Sequence, residues 1–345
     1  MKKIKWVSAL LSGILCVGTL AGCGFTPINA PTDEEVKDSQ HYDGEIALII
    51  SEKDDEYLSN LDQAVKAAAH MKGCNLYSVD SDLSMYREIE FVEQAVKDDA
   101  GAIIVELVDD TRAQEVIDAA GDTPVVFVNR IPHDTSVLDE KHVFVGSDED
   151  DAGTLQGEAL ADILQMHRTD EAHYLLFQGT EGMVHTKKRS EDSIQALEAA
   201  GIKAESLTPP MYCNFSRDQA RAKMLTLLKS GLDMDDVDCI IANNDAMALG
   251  VIETLEANGI DFTNTPIVGI DGLNEGLRAI REGTMKATVY QDAAAQGSAS
   301  VQMAMNLALG SDLMTGINYE QDEENEFIVW IPFETVTSRN VKDFH

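Results

Sequence analysis

The polar residues with the clearest chemical potential share one position: each follows a short apolar run. Asp54-Asp55-Glu56-Tyr57 comes after Ile46–Ile50, Asp109-Asp110 after Ala102–Leu107, Asn129-Arg130 after Val125–Val128, and the stretch Gly179 to Arg189 after Tyr174–Phe177. Asn243-Asn244-Asp245 follows Cys239–Ala242, Asp271-Gly272 follows Ile267–Ile270, and Gln291-Asp292 follows Lys286–Tyr290. A carboxylate accepts from one or two hydroxyls, Asn and Gln both donate and accept, and Arg donates in a planar fork. Such a set suits a ligand with vicinal hydroxyls, because charge-assisted hydrogen bonds of about 1.5–3 kcal/mol each offset its desolvation. Tyr57 and Phe215 are the aromatics available to cover the apolar C–H faces of a ring. Asp, Asn and Gly are also common after strands as turns and helix caps, so the set carries more weight than any one member.

Bond-making chemistry finds little support. The strand-end set contains no evident nucleophile–base pair, and the chain has neither GxGxxG nor GxxxxGK[ST]. Eight histidines are scattered without an HExxH, and His133, His142 and His167 read as surface residues. Asp55 and Asp271 could be read as the carboxylate pair of a glycosidase, but strand-end carboxylates in an exported two-lobed chain fit binding better. Cys74, Cys213 and Cys239 form no CxxC and no disulfide framework, and are expected as small buried hydrophobes. The expectation is therefore no enzyme, no metal and no cofactor. A formal net charge of −35 repels phosphate backbones, which excludes nucleic acid as a partner.

The apolar runs that carry these residues read as strands buried on both faces. Helical spacing separates them over 58–71, 85–98, 112–120, 186–200 and 245–257. Strands alternating with helices predict parallel βαβ units. Ala102–Asn129 and Cys239–Asp271 run through the same sequence of features, down to Thr123-Pro124 and Thr265-Pro266. The fold class is thus α/β, with two similar lobes, each a doubly wound parallel sheet. In such sheets ligands bind outside the carboxyl ends of the strands, where the polar residues lie.

The first residues serve export rather than the fold. Lys2, Lys3 and Lys5 precede an apolar stretch from Trp6 to Leu20, shorter than the ~20 residues that span a bilayer. Leu20-Ala21-Gly22-Cys23 resembles the lipobox of bacterial lipoproteins. That resemblance implies a signal peptide over 1–22, lipidation of Cys23 and a location outside the cytoplasm on the cell membrane, held by the lipid alone. Residues 23–43 are polar, with Pro27, Pro31 and an acidic run, and read as a flexible tether.

Three stretches carry a further resemblance: Asp238-Cys-Ile-Ile-Ala-Asn-Asn-Asp-Ala-Met-Ala-Leu-Gly250, Pro266-Ile-Val-Gly-Ile-Asp271 and Gly283-Thr-Met-Lys-Ala-Thr-Val-Tyr-Gln-Asp292. They resemble the type I periplasmic sugar-binding proteins of ABC transporters, over roughly residues 44 to 335. Asp54-Asp-Glu-Tyr57, Pro124-Val-Val-Phe-Val-Asn129 and the Gly179-to-Arg189 loop point to the galactose/glucose (methyl-galactoside) branch. The resemblance implies two lobes joined by three crossovers, near Gly146, Gln291–Asp292 and Trp330. Residues 44–146 plus 293–330 would form the N-terminal lobe, and 147–292 plus 331–345 the C-terminal lobe. It implies Asp55 as the carboxylate for an axial hydroxyl, Tyr57 and Phe215 as stacking aromatics, Asn129 as an amide and Arg189 as donor to the ring oxygen. Asn244 and Asp271 would grip ring hydroxyls, with Gln291 in place of an asparagine.

Two departures stand out. Met183 and His185 occupy positions where the branch has a histidine and an aspartate, and losing a hydrogen-bond partner in a polar site shifts preference strongly. The stretch Leu164–His173 lacks the branch's Asp-x-Asn-x-Asp-Gly calcium loop, so no calcium site is expected. The function implied is capture of a monosaccharide, galactose or glucose or a related hexose or glycoside, by a monomer that delivers it to an ABC permease. The alternative is a sensor that presents the same sugar to a membrane histidine kinase or chemoreceptor.

Overall fold

The computed structural model describes residues 42–166 and 170–344. The signal, Cys23 and most of the tether lie outside the described residues. No described helix is long and apolar enough to cross a membrane.

Two sheets organise the chain. The first contains β1 (Glu45–Ile50), β2 (Asn75–Asp80), β3 (Ala102–Val105), β4 (Val125–Val128), β5 (His142–Gly146), β12 (Glu320–Gln321) and β13 (Ile328–Trp330), in the spatial order β12-β13-β5-β4-β3-β1-β2. The second contains β6 (Glu171–Gln178), β7 (Lys203–Ser206), β9 (Cys239–Ala242), β10 (Ile267–Val268), β11 (Ala287–Tyr290) and β14 (Glu334–Thr337), ordered β14-β11-β10-β9-β6-β7, with β8 (Met211–Tyr212) also pairing with β6. All pairings are parallel except β12 with β13 and β14 with β11, one antiparallel edge strand in each sheet. The chain passes between the sheets three times, after β5, after β11 and after β13. This is the expected α/β architecture of two doubly wound lobes.

The helices are α1 (Glu56–Lys72), α2 (Met85–Lys97), α3 (Ala113–Ala120), α4 (Glu149–Met166), α5 (Val184–Ala199), α6 (Arg217–Lys229), α7 (Asp245–Ala257), α8 (Asn274–Glu282) and α9 (Ala293–Leu309). Burial follows the sequence pattern. Ile46, Ala47, Leu48, Ile49 and Ile50 of β1 are all fully buried, as an interior parallel strand covered on both faces must be. Helix α1 starts where Asp55 caps the Leu58 amide at 2.9 Å, and ends at Gly73, whose φ of 70° lets its N–H reach back to Ala69 and His70.

Helices α4 and α5 approach closely because two glycines permit it. A Cβ on Gly153 would sit 2.7 Å from the Lys188 carbonyl, and one on Gly157 would collide with the Ser193 carbonyl. The sequence pattern alone does not predict α4, α6, α8 and α9, nor β2, β7, β8, β12, β13 and β14. It also runs the third strand to Leu107. That strand stops at Val105; Glu106 still donates its N–H to the Ile49 carbonyl at 2.9 Å, and its buried side chain accepts from the Ser51 amide just past β1, at 3.0 Å.

Candidate ligand-binding site

Nine of the ten ligand-binding candidates named from the sequence converge on one cavity between the lobes: Asp55, Tyr57, Asn129, His185, Arg189, Phe215, Asn244, Asp271 and Gln291. Leu58 and Arg130 complete its lining, and its volume is about 40 Å³. Met183 is the exception. It is the half-buried residue preceding α5 and does not reach the cavity. The lobes are closed around the site. Ala246 and Leu273 of the second lobe pack into the hydrophobic cluster of the first, and Arg217 on α6 lies 3.2 Å from Glu56 on α1.

A larger groove of about 300 Å³, lined by Met234, Asp238, Thr265 and Pro266 among others, lies at the other end of the second sheet. Its residues precede β9 and β10 rather than follow them. Position relative to the strands, not volume, therefore identifies the candidate site.

Several lining residues also have local structural work, as the turn and cap alternative foresaw. Asp55 caps α1 with one carboxylate oxygen. Asn244 caps α7 through Met247 at 2.9 Å and donates to the Phe215 carbonyl at 3.1 Å. Its neighbours wire the second lobe together. The Asn243 side-chain oxygen accepts from the Gly179 amide and its carbonyl from Arg189, both at 3.0 Å. Asp245 accepts from Leu273 N–H at 2.8 Å and Thr288 Oγ1 at 2.7 Å. The Asn-Asn-Asp run thus ties the loops after β6, β8 and β10 and strand β11 into one frame. Gly179 has a different reason: a Cβ there would fall on the Phe215 ring.

Other atoms around the cavity have no partner within the protein. Both amide atoms of Gln291, the Tyr57 hydroxyl and Arg130 Nε are buried and unmatched. Asn129, Phe215 and Asp271 hold φ values of 64°, 57° and 116°, a costly backbone state for residues other than glycine that clusters at functional sites.

Burial sets the charge state of the site. It pushes the Asp55 carboxyl up, against the Leu58 and Tyr57 amides and the charges of Arg130 and Arg189. It holds Asp271 well above the carboxylate range despite Arg189. His185 is driven down to about 4, chiefly by burial, and is neutral at pH 7.

Two buried arginine–glutamate pairs stand behind these groups. Arg189 donates through Nε and Nη2 to Glu149, at 2.6 and 2.8 Å, and through Nη1 to the Asn243 carbonyl and Asp271 Oδ1, at 3.0 and 3.4 Å. Arg130 donates through Nη1 to the Leu107 and Val108 carbonyls, and its Nη2 lies 3.2 Å from Glu106 Oε1. The sequence reading placed Arg130 after its strand without giving it a role. Glu149 and Glu106 were missed. Glu149 lies in an acidic run that resembles an ordinary helix start, and Glu106 inside an apolar one.

Among the described residues, one group has metal-ligand spacing: Glu171, His173 and Glu205. Lys203 Nζ lies 2.5 and 3.5 Å from the two glutamates, so an internal cation already serves them. Residues 167–169 of the stretch expected to lack a calcium loop are outside the described set.

Comparison with known proteins places this geometry in context. A family model described as a periplasmic binding protein domain matches residues 46–312. The D-galactose/methyl-galactoside binding periplasmic protein of Haemophilus influenzae is 30% identical, over 88% of this chain and 92% of its own. The D-ribose/D-allose-binding protein of Pseudomonas aeruginosa is 26% identical over 94% and 97%. An ABC transporter solute-binding protein of Bacillus halodurans, solved with bound myo-inositol, superposes with a TM-score of 0.75 at 29% identity, covering 88% of this chain and 98% of that one.

Proposed function

This chain belongs to the periplasmic binding protein domain family, and from that premise we propose that it closes its two lobes on a monosaccharide or closely related cyclic polyol outside the cytoplasm and delivers it to an ABC importer. It is a binding protein, not an enzyme. The observation that carries the ligand class is the set of buried polar atoms without protein partners around the cavity, above all both ends of the Gln291 amide. Each such atom costs about 1–3 kcal/mol unless matched. Gln291 calls for both a donor and an acceptor, Tyr57 adds a hydroxyl, and Arg130 adds a donor. Ring hydroxyls supply both functions. The named ligands of the three relatives, D-galactose or methyl-galactoside, D-ribose or D-allose, and myo-inositol, fit this description.

In this reading Asp55 and Asp271 accept from hydroxyls, Asn129, Asn244 and Gln291 bond further hydroxyls, and Arg189 and Arg130 donate from opposite lobes. Tyr57 and Phe215 flank the ring. His185 faces the ligand as a neutral imidazole, and Met183 shapes the loop from outside the cavity. The lobes run over 44–146 plus 293–330 and over 147–292 plus 331–345, in line with the sheet each strand joins. Capture is a hinge movement at the crossovers. A lipid on Cys23 holds the monomer at the membrane; mass spectrometry of the exported protein would show the added diacylglycerol and the loss of residues 1–22.

The decisive experiment is a thermal-shift panel of hexoses, pentoses, methyl glycosides and inositols on protein lacking residues 1–22. A ligand at 100 times its Kd stabilises by about 2.7 kcal/mol, which a melting scan resolves. No shift with any member would overturn the polyol reading.

A further inference from the structure

Helix α5 presents His185 and Arg189 one turn apart on the face toward the cavity, and Glu149, the first residue of α4, stands behind both. Glu149 is 5% exposed and is not part of the cavity lining. Its two oxygens take Arg189 Nε and Nη2 in a fork, at 2.6 and 2.8 Å, and its Oε1 also lies 3.3 Å from His185 Nε2. A guanidinium has five N–H donors. In Arg189, Glu149 takes two, and Asn243 and Asp271 draw on Nη1. One Nη2 hydrogen remains for a ligand. The paired oxygens of a carboxylate or phosphate are best gripped by two parallel N–H groups of an arginine, and Arg189 has no free pair to offer. Its charge is also neutralised at close range, while Asp55 and Asp271 add acceptors at the same cavity.

We infer that Glu149 is a positioning residue that sets the charge selectivity of the site: by occupying the Arg189 fork it admits neutral polyols and excludes sugar acids and sugar phosphates. The inference rests on the polyol reading above and deepens it. The close packing at Gly153 and Gly157 fixes α4 against α5 and so holds the carboxylate in register with the guanidinium.

Matched pairs of ligands test it: each neutral sugar or inositol that binds, against its uronic acid or monophosphate, by calorimetric titration with wild type, Glu149→Gln and the double variant Glu149→Gln/Arg189→Gln. Wild type is expected to prefer the neutral member at least ~100-fold. Glu149→Gln keeps the side-chain volume but returns a positive charge and a free N–H to the cavity, and is expected to shrink that preference at least ~10-fold. The double variant is expected to bind both members weakly and to regain the preference for the neutral one. A folded Glu149→Gln protein whose preference equals that of wild type would overturn the inference, because a purely structural role lowers stability without altering the ratio. Should Glu149→Gln not fold, wild type alone still decides: equal affinity for neutral and acidic members overturns the inference and leaves the polyol reading standing. Binding of neither member by wild type overturns both.

Discussion

Two arginine–glutamate pairs face one another across the cavity, and they are built differently. In the second lobe, Glu149 and Arg189 meet in a two-bond fork. Burial alone would raise the Glu149 carboxyl, but the charge and hydrogen bonds of Arg189, with the charges of His185 and Arg130, together outweigh it and hold the group below its usual range. In the first lobe, Arg130 is held mainly by the Leu107 and Val108 carbonyls, and Glu106 Oε1 makes no aligned hydrogen bond although Nη2 is 3.2 Å away. There burial wins and the Glu106 carboxyl is raised. The same two residue types therefore give a locked ion pair on one side and a loose charge contact on the other. The locked side is pre-set before a ligand arrives. The loose side keeps an unmatched Nε and an acid that can take up a proton.

The contrast is broken most directly by removing each arginine in turn. Arg189→Met leaves Glu149 buried without its partner, and stability should fall by about 3–5 kcal/mol, with ligand affinity down at least ~100-fold. Arg130→Met should cost less, about 1–3 kcal/mol, because Glu106 already tends toward its neutral form. Urea unfolding of the two variants side by side measures the gap. Equal losses would mean that the fork in the second lobe adds nothing over the charge contact in the first.

The first lobe's surplus of acid gives a pH signature. Glu88 on α2 is fully buried, accepts from the Val108 amide at 2.7 Å, and leaves its second oxygen unmatched. Burial raises its carboxyl from 4.5 to about 8. The folded chain thus holds a proton that the unfolded chain has released, so stability is full below pH 4.5 and declines as pH rises toward 8. Glu88→Gln should match wild type at pH 4.5 and exceed it at pH 8 by on the order of 2 kcal/mol. Urea midpoints across that range check it, and parallel curves for the two proteins would contradict it.

How much of this was legible in the sequence divides along the same line. Strand ends were readable because parallel strands buried on both faces are continuous apolar runs, and the polar residue that ends each run marks the ligand side. That placed Asp55, Asn129, Asn244, Asp271 and Gln291 at one cavity. Glu106 and Glu149 also follow strands, β3 and β5, yet were not readable. Glu106 looked like part of a strand and Glu149 like one acid among several at a helix start. What makes each special is a partner over twenty residues away in sequence, and spacing along one chain does not report that. Met183 shows the converse, since counting along the loop from Gly179 placed it at the site, whereas the chain turns into α5 just after it and leaves it outside.

The wiring of the second lobe can also be loosened without touching a charge. Gly179→Ala sets a methyl group against the Phe215 ring. Phe215 is only half-buried, so the ring can swing outward and limit the loss of stability to about 1 kcal/mol, the low end for overpacking. Displacing the ring should weaken ligand affinity ~10-fold. Calorimetric titration distinguishes this from a general loosening, which would move stability more than affinity.

The smallest effect belongs to a salt bridge between the two halves. Arg217 spans the rim, 3.2 Å from Glu56 of the first lobe and 3.0 Å from Glu253 of its own. Its side chain is 24% exposed, so the pair is worth about 0.2–1 kcal/mol. That energy exists only when the lobes are together, so it slows opening more than it stabilises either lobe. Arg217→Ala should leave the unfolding free energy of ligand-free protein within about 0.5 kcal/mol of wild type, and raise the ligand dissociation rate about 2–5-fold at low salt. Stopped-flow release measured from low salt to 1 M, where screening shortens to ~3 Å, should bring the two proteins to the same rate. A rate ratio that did not change with salt would mean that Arg217 acts through packing on one lobe, and that closure rests on the ligand's bridge between the two arginine–glutamate pairs.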